Sequence, residues 1–201
     1  AAELQKVRSD LRADSWGRLQ DAGLDSIPTN VFSFYDQMLD TTVLVGALPQ
    51  RYIDAGENPF DQYFAAARGT AELPPQEMTK WFDTNYHYLV PELTADIEFS
   101  LDPIELLADL DAAQKANIKA RPVVIGPFTY LKLSKMAEGE ETANPLDLID
   151  KLVPVYEGLL ELLAHEGVEW VQLDEPSAVT TLSEAEQKIL NEVYTKLSAL
   201  Q

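Results

Sequence analysis

Apolar residues recur at helical spacing along most of the chain, separated by short extended stretches next to proline or glycine. Residues from about Leu4 to Ala22 set Leu4, Val7 and Leu11 on one side and stop at Gly23, which predicts a helix. Leu24 to Ile27 reads as a short strand before Pro28. Ser33 stands as a cap for a helix carrying Tyr35, Met38, Leu39 and Val43. Asn58-Pro59 is a cap with proline at the first helical position, followed by Phe60, Tyr63, Phe64 and Ala67 and closed by Gly69. Asp102-Pro103-Ile104-Glu105 repeats the device, with Glu105 placed for a capping box ahead of Leu107 and Leu110.

The run Arg121-Pro122-Val123-Val124-Ile125-Gly126-Pro127 predicts a buried strand, because β-branched residues lie between prolines. Asn144-Pro145 opens the clearest helix, with Ile149, Leu152, Val153, Tyr156, Leu159, Leu160 and Leu163 as its stripe and Pro154 as an expected kink. Gly167 ends it, and Val168 to Leu173 reads as the next strand. Strands alternating with longer helices predict an α/β fold, part of a (β/α)8 TIM-type barrel with about four parallel strands. Such a barrel usually needs about 250 residues, so the 201 residues here are expected to form only part of one. Asn30, Asp83, Thr129 and Asp174-Glu175 follow predicted strands, at the edge where these folds place their chemistry.

Charge and composition narrow the function. The net charge of −19 argues against nucleic acid and anionic membranes as partners. No stretch approaches the roughly 20 apolar residues of a membrane span, and the first residues are charged where a signal peptide needs an apolar core. A cytoplasmic location is the simplest expectation. There is no cysteine, which rules out disulfides, a thiol nucleophile and thiolate metal sites within these residues. The acidic run Glu138-Gly139-Glu140-Glu141 reads as a solvated loop. Neither a P-loop, a GxGxxG turn nor a GxSxG elbow occurs.

Three groups could carry chemistry. Asp174 and Glu175 at a strand end could orient a substrate or act as acid and base, but neighbours in an extended segment point to opposite faces, so a structural use is favoured. Lys80, among bulky residues in Met78-Thr79-Lys80-Trp81-Phe82-Asp83, could bind a carboxylate or phosphate, or could be an ordinary exposed lysine or stand in a structural ion pair. His87, between tyrosines, could be a base or a packed loop histidine, and His165 suits a helix C-terminus.

Taken in order, several segments resemble one family. They are Ala67-Arg68-Gly69-Thr70, the run from Glu77 through Lys80 to Glu92, Val124-Ile125-Gly126-Pro127-Phe128-Thr129-Tyr130, and Gly167 to Pro176. Together they look like the N-terminal half of cobalamin-independent methionine synthase. The resemblance implies a methyltransferase of two barrels that moves a methyl group from 5-methyltetrahydropteroyl-polyglutamate to homocysteine. It places zinc and homocysteine in the C-terminal barrel, so this chain alone is expected to hold no metal and to be inactive. It makes Lys80 a substrate-binding contact to the folate donor. It also marks Asp174 and Glu175 as counterparts of acids that bind homocysteine in the other barrel, structural in this half. The family's basic Arg-Arg-Glu-Leu-Lys segment is absent, and Ile27-Pro28-Thr29-Asn30-Val31-Phe32-Ser33 replaces a stretch that usually has Gly-Asp before the Phe. Two rivals stand beside this reading. One is a non-catalytic structural or interaction domain with no ligand contact. The other is a stand-alone lyase or hydrolase using Asp174 and Glu175.

Overall fold

The computed structural model describes residues 2–140 and 142–200; Ala1, Gln201 and Glu141 of the acidic run lie outside them. The chain starts with helix α1 (Ala2–Asp21), then strand β1 (Ile27–Pro28) and helices α2 (Gln37–Leu44), α3 (Gln50–Ala55) and α4 (Pro59–Arg68). Next come β2 (Met78–Lys80), β3 (His87–Leu89), β4 (Glu92–Leu93), α5 (Ile104–Lys115), β5 (Ala120–Arg121) and β6 (Val123–Ile125). The chain continues with α6 (Pro127–Lys132), β7 (Lys135–Met136), α7 (Ile149–His165), β8 (Gln172–Asp174) and α8 (Glu184–Leu197).

The strands form four pairs: β1 with β5, β4 with β7 and β6 with β8 run parallel, while β2 with β3 is an antiparallel hairpin. The fold is therefore mixed α/β with short parallel pairs. Among the described residues the strands do not close into a barrel. Residues 120–125 nevertheless act as one strand with a neighbour on each side. Carbonyls of Lys119 and Arg121 accept from Ile27 and Thr29, while Pro122 O accepts from Gln172 N and Gly126 N donates to Asp174 O. Asn30 lengthens β1 by one rung through its side chain: Oδ1 accepts from Val123 N at 2.8 Å, and Nδ2 donates to Val123 O. A side-chain amide thus replaces a peptide at the end of the ladder.

Several predicted elements shift. Strand β1 begins at Ile27, where the predicted one ended. Ser33 does not cap α2. Asp36 does, its Oδ1 accepting from both Met38 N and Leu39 N at 2.7 and 2.9 Å in the first turn. No capping box forms at α5: Glu105 turns to Arg8 instead, leaving Asp102 to accept from Ile104 N at 3.3 Å. The box occurs at α8, an element unpredicted above, where Ser183 and Glu186 bond reciprocally. The stretch from Met78 to Asp83 is a hairpin arm rather than a barrel strand. Asn58 and Gly69 bound α4 as expected, Gly69 with φ of 73°. Asn144 caps a 3-10 turn that leads into α7, which runs on through Pro154.

The main core joins β3, β4, β6, α6, α7 and α8, with Phe128, Leu131, Leu152 and Leu163 fully enclosed. Two smaller clusters flank it, one around Tyr52 and Leu89 and one around Trp16 and Ile27. Helix α1 is turned against its pattern. Arg8, Arg12 and Trp16 are buried, while Leu4, Val7 and Leu11 are 48%, 47% and 46% exposed.

Candidate functional site

The C-terminal ends of β6 and β8 open into a cleft of about 330 Å³ lined by Gln37, Trp81, Ile125, Asp174, Glu175 and Pro176. Asp174 Oδ1 accepts from Gln172 Nε2 at 2.7 Å, a pair two residues apart on one face of β8. Glu175 turns elsewhere. Its Oε2 accepts from Thr129 N at 2.6 Å and its Oε1 from Phe128 N at 3.1 Å and the Tyr194 hydroxyl at 2.9 Å. It therefore caps α6 from the next strand along, answering N–H groups that the helix cannot satisfy itself. Burial pushes its carboxyl above the usual range, partly offset by these donors. A Cβ on Gly126 would lie 2.2 Å from Glu175 Oε1, so glycine is the residue that admits this carboxylate. The two acids take different partners, although both line the cleft.

Lys80 does not line the cleft. Trp81 N donates to Tyr86 O and Val90 N to Glu77 O, so Thr79 and Trp81 share one face of the hairpin with Tyr88 and Tyr86, and Lys80 lies on the other with His87 and Leu89. Trp81 packs edge-on against Tyr88 at 5.5 Å and reaches the cleft. Lys80 is exposed, and no acid holds it. Of the 15 lysines and arginines, Lys80 and Arg121 alone make no ion pair, side-chain hydrogen bond or ring contact among the described residues. Arg121 is part-buried on the sheet, so Lys80 is the accessible one. His87 is also exposed, with Nδ1 3.0 Å from Asn85 O, and His165 sits exposed in the last turn of α7.

Sequence patterns missed a second polar cluster, beside the hairpin. Asp36 Oδ2 accepts from Leu89 N at 3.0 Å, tying the start of α2 to β3. Asp40 accepts from the Tyr63 hydroxyl at 2.8 Å and from Ser33 Oγ. The placement of Asp36 just ahead of an apolar helical run was the available signal. Burial pushes the Asp40 carboxyl up to about 6 from an ordinary 3.8, against the pull of Ser33 and Tyr63. The folded state therefore holds this proton more tightly than the unfolded state, and stability from this group should fall as pH rises from about 4 to about 6. Urea midpoints across that window should fall more steeply for the wild type than for Asp40→Asn; parallel profiles would contradict the assignment.

Among the described residues no three His, Cys, Asp or Glu side chains gather as a metal site, and no helix is long and apolar enough to cross a membrane. With no cysteine and two separated histidines, the donor set does not fit zinc.

Residues 1–201 match the family described as the N-terminal domain of cobalamin-independent synthase. The chain belongs to that family. A protein of Mycobacterium tuberculosis (strain ATCC 25618 / H37Rv), named 5-methyltetrahydropteroyltriglutamate--homocysteine methyltransferase, is 52% identical over 199 residues. That alignment covers 99% of this chain and 26% of the relative. A protein of the same name from Streptomyces coelicolor is 50% identical over 202 residues, covering 100% of this chain and 26% of the relative. This synthase-family domain thus spans about a quarter of the length of the curated relatives it matches.

Proposed function

We propose that this synthase-family chain is a partial N-terminal barrel domain of a methyltransferase that moves a methyl group from 5-methyltetrahydropteroyl-polyglutamate to homocysteine. Its own part is scaffold together with one contact to the donor, made by Lys80. The names of the relatives support the substrates, and the parallel strands flanking residues 120–125 support an arc of barrel that further chain completes. Zinc and homocysteine belong, on this reading, to the other barrel, where the metal would ionise the homocysteine thiol.

The observation that carries the assignment is the Lys80 ammonium, exposed and without a partner among the described residues. In a chain with 34 acids and 15 bases, nearly every cation is engaged, and an exposed lysine without a partner is available to an external anion. The donor's glutamate tail supplies carboxylates, and a charge-assisted bond to one contributes about 1.5–3 kcal/mol, less where solvent screens it. In the full-length enzyme Lys80→Ala should raise KM for a triglutamate donor about tenfold. The rise should shrink in high salt and with a monoglutamate donor, and the homocysteine KM should hold steady. Equal donor KM values in a folded variant would return Lys80 to a structural role. That second reading has an observation of its own, since Trp81 rather than Lys80 reaches the strand-end cleft.

A further inference from the structure

We infer that the cleft at the ends of β6 and β8 is a binding site for a small organic cation, an ammonium group on a short apolar stem, held between the Asp174 carboxylate and the Trp81 indole. The cleft measures about 330 Å³, and Gln37, Ile125, Glu175 and Pro176 complete its lining. Its walls hold two acids and no base. Neither Lys80 nor Arg121, the two cations that nothing else engages, belongs to the lining, so no cation of the described residues neutralises it. A concave surface of one charge sign over apolar walls focuses the field and draws in counter-ions.

The two acids differ in what they can offer a ligand. Glu175 is occupied by Phe128 N, Thr129 N and the Tyr194 hydroxyl. Asp174 accepts only from Gln172 Nε2, through Oδ1 at 2.7 Å, and Oδ2 has no partner among the described residues. Its backbone is fixed beside Ile125, with Gly126 N donating to Asp174 O at 2.7 Å. The carboxylate is therefore oriented before a ligand arrives, which limits the freedom lost on binding. Trp81 is set in place as well. Phe82, Tyr86 and Tyr88 meet its ring at 5.2, 6.5 and 5.5 Å, each nearly perpendicular to it, and the Tyr88 hydroxyl donates to Leu133 O at 3.0 Å. Gln37 uses its backbone carbonyl, toward Thr41 Oγ1 at 2.8 Å, and its side-chain amide makes no hydrogen bond among the described residues.

These free groups select a ligand class. An ammonium has three donors and no acceptor, so Asp174 Oδ2 and the Gln37 amide oxygen can answer two of them. Its charge is favoured beside an indole ring, and Ile125 and Pro176 suit a short alkyl stem. A bare metal ion fits poorly: calcium takes about six to eight oxygens, and no three acids or histidines gather among the described residues. An anion would be repelled. The hairpin presents Trp81 on the face away from Lys80, so this site is separate from the donor contact assigned to that lysine.

The test titrates butylammonium chloride onto the 201-residue chain, at an ionic strength held constant with sodium chloride, and follows the three indole N–H signals by NMR. The Trp81 signal should shift with a dissociation constant of about 1–10 mM, the range for so small a ligand. Those of Trp16, which donates to Pro28 O and Thr29 O, and of Trp170 should stay. Butanol has the same shape without the charge and should bind about tenfold more weakly, or worse. Asp174→Asn keeps the side chain's size and its acceptor for Gln172, and should weaken butylammonium about tenfold. Trp81→Leu, read from the Ile125 methyl signals, should weaken it about threefold. Equal affinity for butanol and butylammonium, or no loss in a folded Asp174→Asn, would leave only an apolar hollow and overturn the cation site. Equal shifts from calcium chloride would reveal a general attraction of cations to an acidic surface, and no Trp81 shift up to about 50 mM would mean no site; either outcome overturns the inference.

Discussion

Replacing Glu175 with alanine should cost about 3–5 kcal/mol of stability, since it strands two backbone N–H groups and one hydroxyl in a buried place. Those donors are Phe128 N, Thr129 N and the Tyr194 hydroxyl, at 3.1, 2.6 and 2.9 Å. Gly126→Ala should cost nearly as much by a different route. Its new Cβ would fall 2.2 Å from Oε1 and 2.8 Å from Cγ of Glu175, forcing that carboxylate off its donors. Two substitutions that remove one interaction do not add, so the double variant should be about as stable as Glu175→Ala alone. Chemical denaturation of the four proteins decides it. Additive losses would show that Gly126 serves something other than the close approach of Glu175.

Asp109→Ala should be comparably severe, at about 3–5 kcal/mol, because it leaves two enclosed guanidinium groups facing each other. Asp109 Oδ1 accepts from Arg8 NH2 at 3.1 Å and pairs with Arg12, and the three side chains are 4%, 9% and 7% exposed. The Nε atoms of Arg8 and Arg12 have no acceptor among the described residues, so Glu105, already on Arg8 and largely exposed, is what remains to balance the pair. Burial, and then the charge of Arg8, already brings the Arg12 guanidinium down to about 10. Arg8 also stacks over Phe34 at 5.2 Å and Arg12 over Trp16 at 5.9 Å, which retains packing but not charge balance. Replacing all three members by apolar residues of similar volume should recover much of the loss, whereas lost packing alone would make that triple variant worse than Asp109→Ala.

The same helix shows where sequence patterns stop informing. Spacing correctly predicts that α1 is a helix, and it correctly groups Leu4, Val7 and Leu11. It does not say which side finds a neighbour. The buried side is chosen by Asp109 and Glu105, about a hundred residues away on α5, and by the Trp16 indole, which donates to Pro28 O and Thr29 O at 3.1 Å. Asn58, Gly69 and Asn144 were legible because a cap acts within three residues of itself. The cap of α2 falls on Asp36 rather than Ser33, since Asp36 is the residue that accepts from Met38 N and Leu39 N. The arm from Met78 to Asp83 had the composition of a strand, yet Phe82 adopts φ of 51° and turns the chain back on itself. At the candidate site, the free state of Lys80 was out of reach of sequence, because being unpaired is a property of the surroundings. The cap that Glu175 places on α6 was equally hidden, since it is non-local in sequence.

That cap also bears on the order in which the chain can acquire structure as it is made. Helix α6 has six residues, far below the length at which a helix persists unaided in water. The carboxylate that answers its first N–H groups lies 46 and 47 residues further along, and the hydroxyl that steadies that carboxylate another 19 beyond. On a ribosome, α6 therefore emerges well before the groups that hold it, and β6 waits beside it for β8. The segment from Gly126 to Lys132 can pack on α7 before Glu175 arrives, but its first N–H groups wait for that carboxylate, and Tyr194 completes the closure later still. Translation, which releases the chain from its N-terminus, makes this stretch the late step despite its place in the middle.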